Sequence, residues 1–373
     1  MPGDLFDPAT YQDLRKPLRE ASTLPPACYT SVDFFQREVE TLFRDHWQFA
    51  CREEQIAEPG DYLCLDGPSG PVILARGDDQ RIRAFANSCR HRGARLLDGN
   101  GRCRRIVCPY HSWSYRLDGE LLGVSGMEDV SGFERADYPL VEFHVDSWAG
   151  FVFYHVGDAP TPLAQQLGDF CERFAGHHAE TMAFVGDIEF DIASNWKLLC
   201  ENALEAYHTG SVHRETLGQQ AASAIPTRGG WTGLIVEDED SVATLQGDAK
   251  PFPHIEGLDA EARAGAFFTL VYPSTQFVFA QDCMWWLAFR PQAVDRTQLR
   301  IGACFPRSTI ELPDFNARVE LYFHRWRVAT AEDNAICEQQ QRGQTSLRPP
   351  GRFATSEFAV HAFANWLIDQ VTA

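Results

Sequence analysis

Cys89-Arg90-His91, followed after sixteen residues by Cys108-Pro109-Tyr110-His111, puts two Cys–His pairs on two separate loops. Together they offer two thiolates and two imidazoles to a metal centre. Thiolate softness favours iron–sulfur chemistry or zinc, and a set of two Cys and two His is compatible with either. Zinc fingers usually pair Cys with Cys and His with His on a ββα hairpin. Here each loop mixes the two kinds, Cys-x-His in the first and Cys-x-x-His in the second. Mixed loops suit a 2Fe-2S cluster in which two Cys hold one iron and two His the other. Zinc stays the alternative on spacing alone.

Outward from this stretch, residues 47–157 carry short β-rich runs (PVILAR, IRAFAN, RIVCPY, FVFYHV) between turn signals such as Pro59-Gly60-Asp61, Asp66-Gly67 and Asp118-Gly119. An all-β module of ordinary domain size is expected, with the metal motif in its middle. Before it, Ser31 or Asp33 is placed to cap a helix through FFQREVETLFRDHW. After it come an acidic helix around QQLGDFCERF, a strand FVGDIEFDI, and a helix NWKLLCENALEAYH capped by Asn195 or Ser194. Residues 219–265 are polar and give no clear element; part of them reads as a loop. Strands return at GAFFTLVYPSTQFVFA, CMWWLAFRP and QLRIGACFP, and a long helix is expected through DFNARVELYFHRWRVATAEDNAICEQQQ. Strands plus long helices predict an α+β domain, an antiparallel sheet covered by helices on one face.

The 373 residues make two domains the natural expectation. The hydrophobic fraction of 44% is that of an ordinary globular protein, and a net charge of −19 argues against binding nucleic acid or anionic membranes. No h-region of a signal peptide and no run of 18 apolar residues is visible, so a cytoplasmic location without a membrane span is expected. Eleven scattered Cys fit a reducing compartment better than a disulfide framework. Six Arg (Arg90, Arg92, Arg95, Arg102, Arg104 and Arg105) stand against Asp98 alone around the motif. That local basic patch raises the potential of a bound cluster, docks an acidic electron donor or a neighbouring subunit, or is a solvated loop face.

The loops at 89–91 and 108–111 resemble those of Rieske proteins, which implies that Cys89, His91, Cys108 and His111 bind a Rieske 2Fe-2S cluster. Ala94 and Tyr110 stand where respiratory members carry a bridging disulfide, so the similarity is to the disulfide-free ferredoxin and oxygenase domains. Hydroxyls or amides in Ser112-Trp113-Ser114-Tyr115 are placed to hydrogen-bond cluster sulfurs. Rieske domains also occur fused to a mononuclear iron domain, for which two His and a carboxylate are the expected ligands. The run NWKLLCENALEAYHTGSVH closely resembles the iron signature of Rieske non-haem iron oxygenase α subunits. The resemblance implies His208 and His213 as iron ligands, with Gly210 letting the chain turn between them. The family's third ligand lies on a late helix in a Glu-Asp…Gln-x-Gly context. Glu332-Asp333 followed by Gln341-Arg342-Gly343 matches it, which implies Asp333, with Glu332 as the neighbouring alternative.

Most ring-hydroxylating members carry an Asp three residues before the first His ligand; this chain has Glu205. The resemblance is thereby closer to the branch that includes carnitine, choline and betaine oxygenases. It implies that Glu205 bridges electron transfer between subunits, with Asn202 and Tyr207 as further catalytic or pocket residues. The implied domains are a Rieske domain at 46–157 and a helix-grip (START-like) catalytic domain formed by 1–45 and 158–373. The implied reaction uses O2, with electrons from NAD(P)H supplied by a separate flavin and iron–sulfur reductase, because no Gly-x-Gly-x-x-Gly run occurs here. The implied assembly is a homotrimer. The expected substrate is a small quaternary ammonium compound, hydroxylated or oxidatively N-demethylated. An aromatic or carbocyclic substrate, or a pure Rieske electron carrier, are the alternatives. Aromatic residues at 267–289 (Phe267, Phe268, Tyr272, Phe277, Phe279, Trp285, Trp286, Phe289) are candidates for the pocket wall, and adjacency lets at most one of Trp285 and Trp286 face inward.

Overall fold

Residue 73 points into one core and residue 74 into another, and that alternation organises the first half of the chain. The computed structural model describes residues 4–238, 241–245, 247–248 and 251–373. It divides into two compact units, Phe43–Leu163 and Met1–Leu42 with Ala164–Ala373.

The smaller unit is built from β1 (Gln48–Arg52), β2 (Asp61–Gly67), β3 (Gly70–Arg76), β4 (Ile82–Ala86), β5 (Asn100–Arg102), β6 (Ile106–Val107), β7 (Ser114–Tyr115), β8 (Leu121–Gly123), β9 (Glu142–Trp148) and β10 (Phe151–His155). Seven of these form an antiparallel sheet in the order β1-β10-β9-β4-β3-β2-β5, and β6-β7-β8 form a second, three-stranded sheet. The apolar run PVILAR is buried on both faces. Val72 and Leu74 join Leu63, Leu65 and Val152 on one side. Ile73 and Ala75 join Phe85, Ile106, Trp113 and Tyr115 on the other. Side chains alternate across a strand, so a continuous hydrophobic run marks a strand between two cores. Cys89 and Cys108 belong to the second core. The metal loops are therefore anchored in packed side chains.

In the larger unit, β11 (Met182–Ile192), β12 (Ala222–Ala224), β13 (Trp231–Glu237), β14 (Gly265–Val271), β15 (Thr275–Phe279), β16 (Met284–Ala293) and β17 (Arg296–Pro306) form an antiparallel sheet in the order β11-β17-β16-β15-β14-β13-β12. Helices Trp196–Asn202, Phe315–Gln344 and Phe358–Val371 accompany it. The long helix lies where the sequence places it. The apolar helix Phe358–Val371 and strand β13 were not legible in sequence. β13 is buried at six successive positions, so it lacks the polar–apolar alternation that marks a half-exposed strand. Parts of the 219–265 stretch lie outside the described residues.

Two helical readings are corrected. The N-terminal helix is capped by Ser31, whose hydroxyl accepts the Phe34 amide at 3.2 Å, and it passes from α to π geometry after Glu38. The helix begun at Trp196, capped by Asn195, ends at Asn202 and does not reach His208. The Glu205 carboxylate instead takes the amide protons of Tyr207 and His208, the second at 3.0 Å, and a separate one-turn helix follows at Thr209–Val212. An acceptor side chain that satisfies free amides starts a new helix rather than extending the old one.

Candidate metal centres

The two Cys–His loops share one backbone design. Cys89 N–H donates to the Ala94 carbonyl (2.8 Å) and Gly93 N–H to the Cys89 carbonyl (2.9 Å). Cys108 N–H donates to the Trp113 carbonyl (2.7 Å) and Ser112 N–H to the Cys108 carbonyl (3.1 Å). The fifth residue of each loop is left-handed, with φ of 74° at Gly93 and 60° at Ser112. Glycine takes that conformation freely, whereas serine does so at a cost that the closed turn must offset. Buried Asn87 fastens the exit of the first loop: its side-chain oxygen accepts the Leu96 and Leu97 amides and its amide donates to the Leu97 carbonyl.

The loops bring His91 Nδ1 within 3.1 Å of His111 Nδ1. Cys89 and Cys108 sit in the same core cluster. Burial pushes the Cys89 thiol up, and Cys108 beside it adds to the rise, so a bare thiolate there is costly and a bound cation is what would stabilise it. Among the described residues only one group outside these loops gathers three ligand atoms within 4.8 Å of one another, and the four loop residues do not form such a group. A single tetrahedral zinc would draw all four donors to within about 4 Å of each other, given Zn–S and Zn–N bonds of about 2.3 and 2.1 Å. The observed pairing, histidine with histidine and cysteine with cysteine, matches two irons with different ligands.

Tyr115 reaches this centre and Ser114 does not. The Tyr115 hydroxyl is 3.3 Å from Cys89 Sγ and accepts the Arg90 amide at 3.1 Å, while Ser114 Oγ faces the Gly123 carbonyl. The His91 ring stacks on Trp113 with a centroid separation of 5.0 Å. The basic patch is partly neutralised from β2. Arg95 pairs with Asp66 and Asp98, each at 2.6 Å, and Arg102 lies 3.8 Å from Asp61. The one-against-six count in the local sequence missed acids supplied by a neighbouring strand. No disulfide joins any of the eleven cysteines.

The second centre joins the one-turn helix to the long one. His213 Nε2 is 2.9 Å and His208 Nε2 3.4 Å from Asp333 Oδ1. Each imidazole turns its other nitrogen to a glutamate: His208 Nδ1 to Glu205 Oε1 at 2.6 Å, and His213 Nδ1 to Glu332 Oε2 at 2.7 Å. Thr216 in turn donates to Glu332 at 2.8 Å. With Nδ1–H given to a carboxylate, each Nε2 presents a lone pair. Two such lone pairs and the buried Asp333 Oδ1, which makes no hydrogen bond, converge on one point. That is a place for a cation. Burial works to lower the His208 pKa, but Asp333 and Glu205 outweigh it and raise the value to about 9. A divalent ion would replace that proton in balancing the carboxylates.

The geometry thus gives Asp333 and Glu332 different positions, the first inside the triad and the second behind His213. Gly210 makes no special turn: it lies inside the helix Thr209–Val212, and the turn of helix itself spaces His208 from His213. Glu201 stays apart from the triad, accepting the Tyr29 hydroxyl at 2.7 Å. Asn202 lines the cavity beside the triad. Tyr207 does not: it is 70% exposed and absent from the cavity wall.

The cavity wall comes from one face of the sheet, Leu234 and Val236 of β13, Phe268 of β14, Gln276 of β15, Trp285, Leu287 and Phe289 of β16, and Leu299 and Ile301 of β17. The long helix closes it with Arg325, Trp326, Ala329, Thr330, Asp333 and Asn334. Of the eight aromatic candidates, Phe268, Trp285 and Phe289 face it. Trp286 points the other way and lies over Gly302, its cross-strand partner, where any Cβ would sit 2.0 Å from the indole.

Comparison with known proteins agrees with this geometry. Residues 46–134 match the Rieske [2Fe-2S] domain and residues 179–373 the ring hydroxylating alpha subunit (catalytic domain). The carnitine monooxygenase oxygenase subunit of Acinetobacter pittii is 33% identical over 196 residues, 52% of this chain and 53% of that protein. The chain therefore spans about half the length of that relative. The glycine betaine monooxygenase oxygenase subunit of Chromohalobacter salexigens is 26% identical across 93% of this chain and 85% of its own. The crystal structure of the quaternary ammonium Rieske monooxygenase CntA with L-carnitine superposes with a TM-score of 0.77 at 26% identity, covering 94% of this chain and 96% of that one. The two domain types imply one Rieske cluster and one mononuclear iron, and both ligand sets above fit them. The chain belongs to the family of ring-hydroxylating oxygenase α subunits, with a Rieske [2Fe-2S] domain ahead of the catalytic domain.

Proposed function

We propose that the chain is the oxygenase component of a Rieske non-haem iron monooxygenase that hydroxylates or oxidatively N-demethylates a small quaternary ammonium compound. The observation that carries the reading is the His208/His213/Asp333 triad, backed by Glu205 and opening on a cavity with Phe268, Trp285, Phe289 and Trp326 in its wall. Aromatic faces attract a trimethylammonium group, by about 0.5–2 kcal/mol per well-placed ring. The similarity to proteins named for carnitine, glycine betaine and choline supports the same substrate type. A pure electron carrier has no use for the triad.

In this reading Cys89, Cys108, His91 and His111 hold the cluster, and His208, His213 and Asp333 hold the mononuclear iron. The chemistry these groups supply when bound is one-electron delivery at the first site and O2 activation at the second. The chain's own residues orient and insulate it. Glu205 and Glu332 fix the two imidazoles by taking their Nδ1 protons, so that each Nε2 faces the metal. Glu205, whose carboxylate also holds two backbone amides, is a rigid link from His208 to whatever donor docks there. Asn202 stands at the cavity wall beside it, and the apolar strands exclude water from the reacting carbon. A carbon hydroxylated next to the ammonium nitrogen loses its hydroxyl proton and forms C=O as the C–N bond breaks, releasing an aldehyde and a tertiary amine.

The reductase is a separate flavin and iron–sulfur protein, and the assembly a homotrimer in the cytoplasm. No helix among the described residues is long and apolar enough to cross a membrane. The test is oxygen uptake with a surrogate reductase and NADH. Carnitine or betaine should stimulate uptake and release an aldehyde, and benzoate-type acids should not. The opposite preference rejects the substrate reading.

A further inference from the structure

Resting on that reading of the cavity, we propose that Arg325 is its anion-binding pole and that the substrate carries a carboxylate. Arg325 is 8% exposed and lines the cavity. Its guanidinium has no hydrogen bond or ion pair among the described residues, and its buried Nε is without a partner. Its guanidinium lies over the Trp285 ring, whose centroid is 5.6 Å from Cζ. A guanidinium stripped of water and without a hydrogen-bonded acid is costly, and the charge of Asp333, acting through space, offsets only part of that cost. Burial pulls its pKa down to about 10, so it stays charged at neutral pH. The cavity's carboxylates face the histidines, Asp333 lying 2.9 Å from His213 and Glu205 2.6 Å from His208, and neither forms an ion pair with Arg325. A planar fork of donors with no protein acceptor matches an incoming carboxylate.

The placement along the helix adds polarity to the cavity. Arg325 and Asp333 are eight residues apart on the helix Phe315–Gln344 and share its cavity face with Ala329 and Thr330. Eight residues rise about 12 Å. The metal end and the anionic pole are thus separated along the helix face, in a cavity whose wall also holds Phe268, Trp285, Phe289 and Trp326. A zwitterion would lie along it, carboxylate on Arg325 and ammonium group toward the triad. A choline-like alcohol would leave the guanidinium unpaired.

The test uses calorimetric titration of the iron-loaded full-length protein with three acid–amide pairs: L-carnitine, glycine betaine and benzoate, each against its primary amide. Wild-type protein should bind at least one acid roughly 30-fold tighter than its amide, and Arg325→Gln should close that gap to about threefold. Arg325→Lys should keep part of it. In the absence of ligand, Arg325→Gln should melt no lower than wild type, because it removes an unpaired buried charge. No preference for the acid in any pair, equal loss of acid and amide in Arg325→Gln, or a fall in its melting temperature overturns the proposal. The two readings fail separately. Preference confined to the benzoate pair supports Arg325 and rejects the quaternary ammonium substrate, whereas tight binding of carnitine or betaine with no preference for the acid in any pair does the reverse.

Discussion

Replacing Tyr115 by phenylalanine removes one hydroxyl from a fully buried ring and should lower the reduction potential of the cluster. The direction follows from the proton. Tyr115 Oη accepts the Arg90 amide at 3.1 Å, so its own hydrogen is left to point at Cys89 Sγ, 3.3 Å away. Burial raises the Tyr115 pKa further above its ordinary value, which keeps the hydroxyl protonated at every working pH. A hydrogen bond to a charged acceptor is worth about 1.5–3 kcal/mol. Sulfur is a weaker acceptor than oxygen, and only the part that strengthens on reduction shifts the potential. Taking that part as about 1 kcal/mol, and about 59 mV for each 1.4 kcal/mol in a one-electron couple, the drop is about 40 mV. Potentiometric titration followed by EPR measures it directly. The stability loss from stranding the Arg90 amide should appear separately, as a melting temperature lowered by a few degrees. An unchanged or raised potential in a folded variant with its cluster intact would refute the reasoning.

Glu332→Ala should weaken iron retention at the triad by about 10–100-fold in a chelator competition, with the visible spectrum of the cluster unaltered, because His213 loses the partner that fixes its tautomer. Glu205→Ala, with both sites metal-loaded, should cut turnover by up to about 100-fold in the oxygen-uptake assay; full activity would reject the bridging role. Glu201→Gln tests a half-buried acid, whose pKa desolvation raises from 4.5 to about 7. A native carboxyl that holds its proton more tightly than the unfolded chain loses stability as pH climbs from 4.5 through 7, up to about 3 kcal/mol above that range. The melting-temperature advantage of Glu201→Gln over wild type should therefore be small at pH 5 and largest at pH 8.

The features legible in sequence are those that chemistry forces into short spacings. Cys-x-His and Cys-x-x-His on successive loops announce a donor set without knowledge of the fold, whereas His208 and His213 stand out only through the resemblance to the family's iron signature. Asp333 was legible only beside a known motif. Contacts made across the fold stayed hidden. Glu332 looked like an alternative ligand, and only the approach of the long helix to the one-turn helix shows it behind His213. Asn87 and Arg325 carry no local signal, because their partners, or the lack of any, are set by distant strands and helices. The end of the Trp196 helix is hidden in sequence because continued helical propensity masks a side chain that captures its own neighbours' amides, as Glu205 does. Strand β13 was missed for the opposite reason, burial on both faces having erased its pattern.

Iron and acid-labile sulfide, measured on wild-type protein and on Asp333→Ala, test most directly the claim that one chain holds two distinct metal centres. Three irons and two sulfides per wild-type chain are expected, falling to two and two in the variant with the cluster's EPR signal retained. Two irons in the wild type, or sulfide lost along with iron in Asp333→Ala, would contradict it.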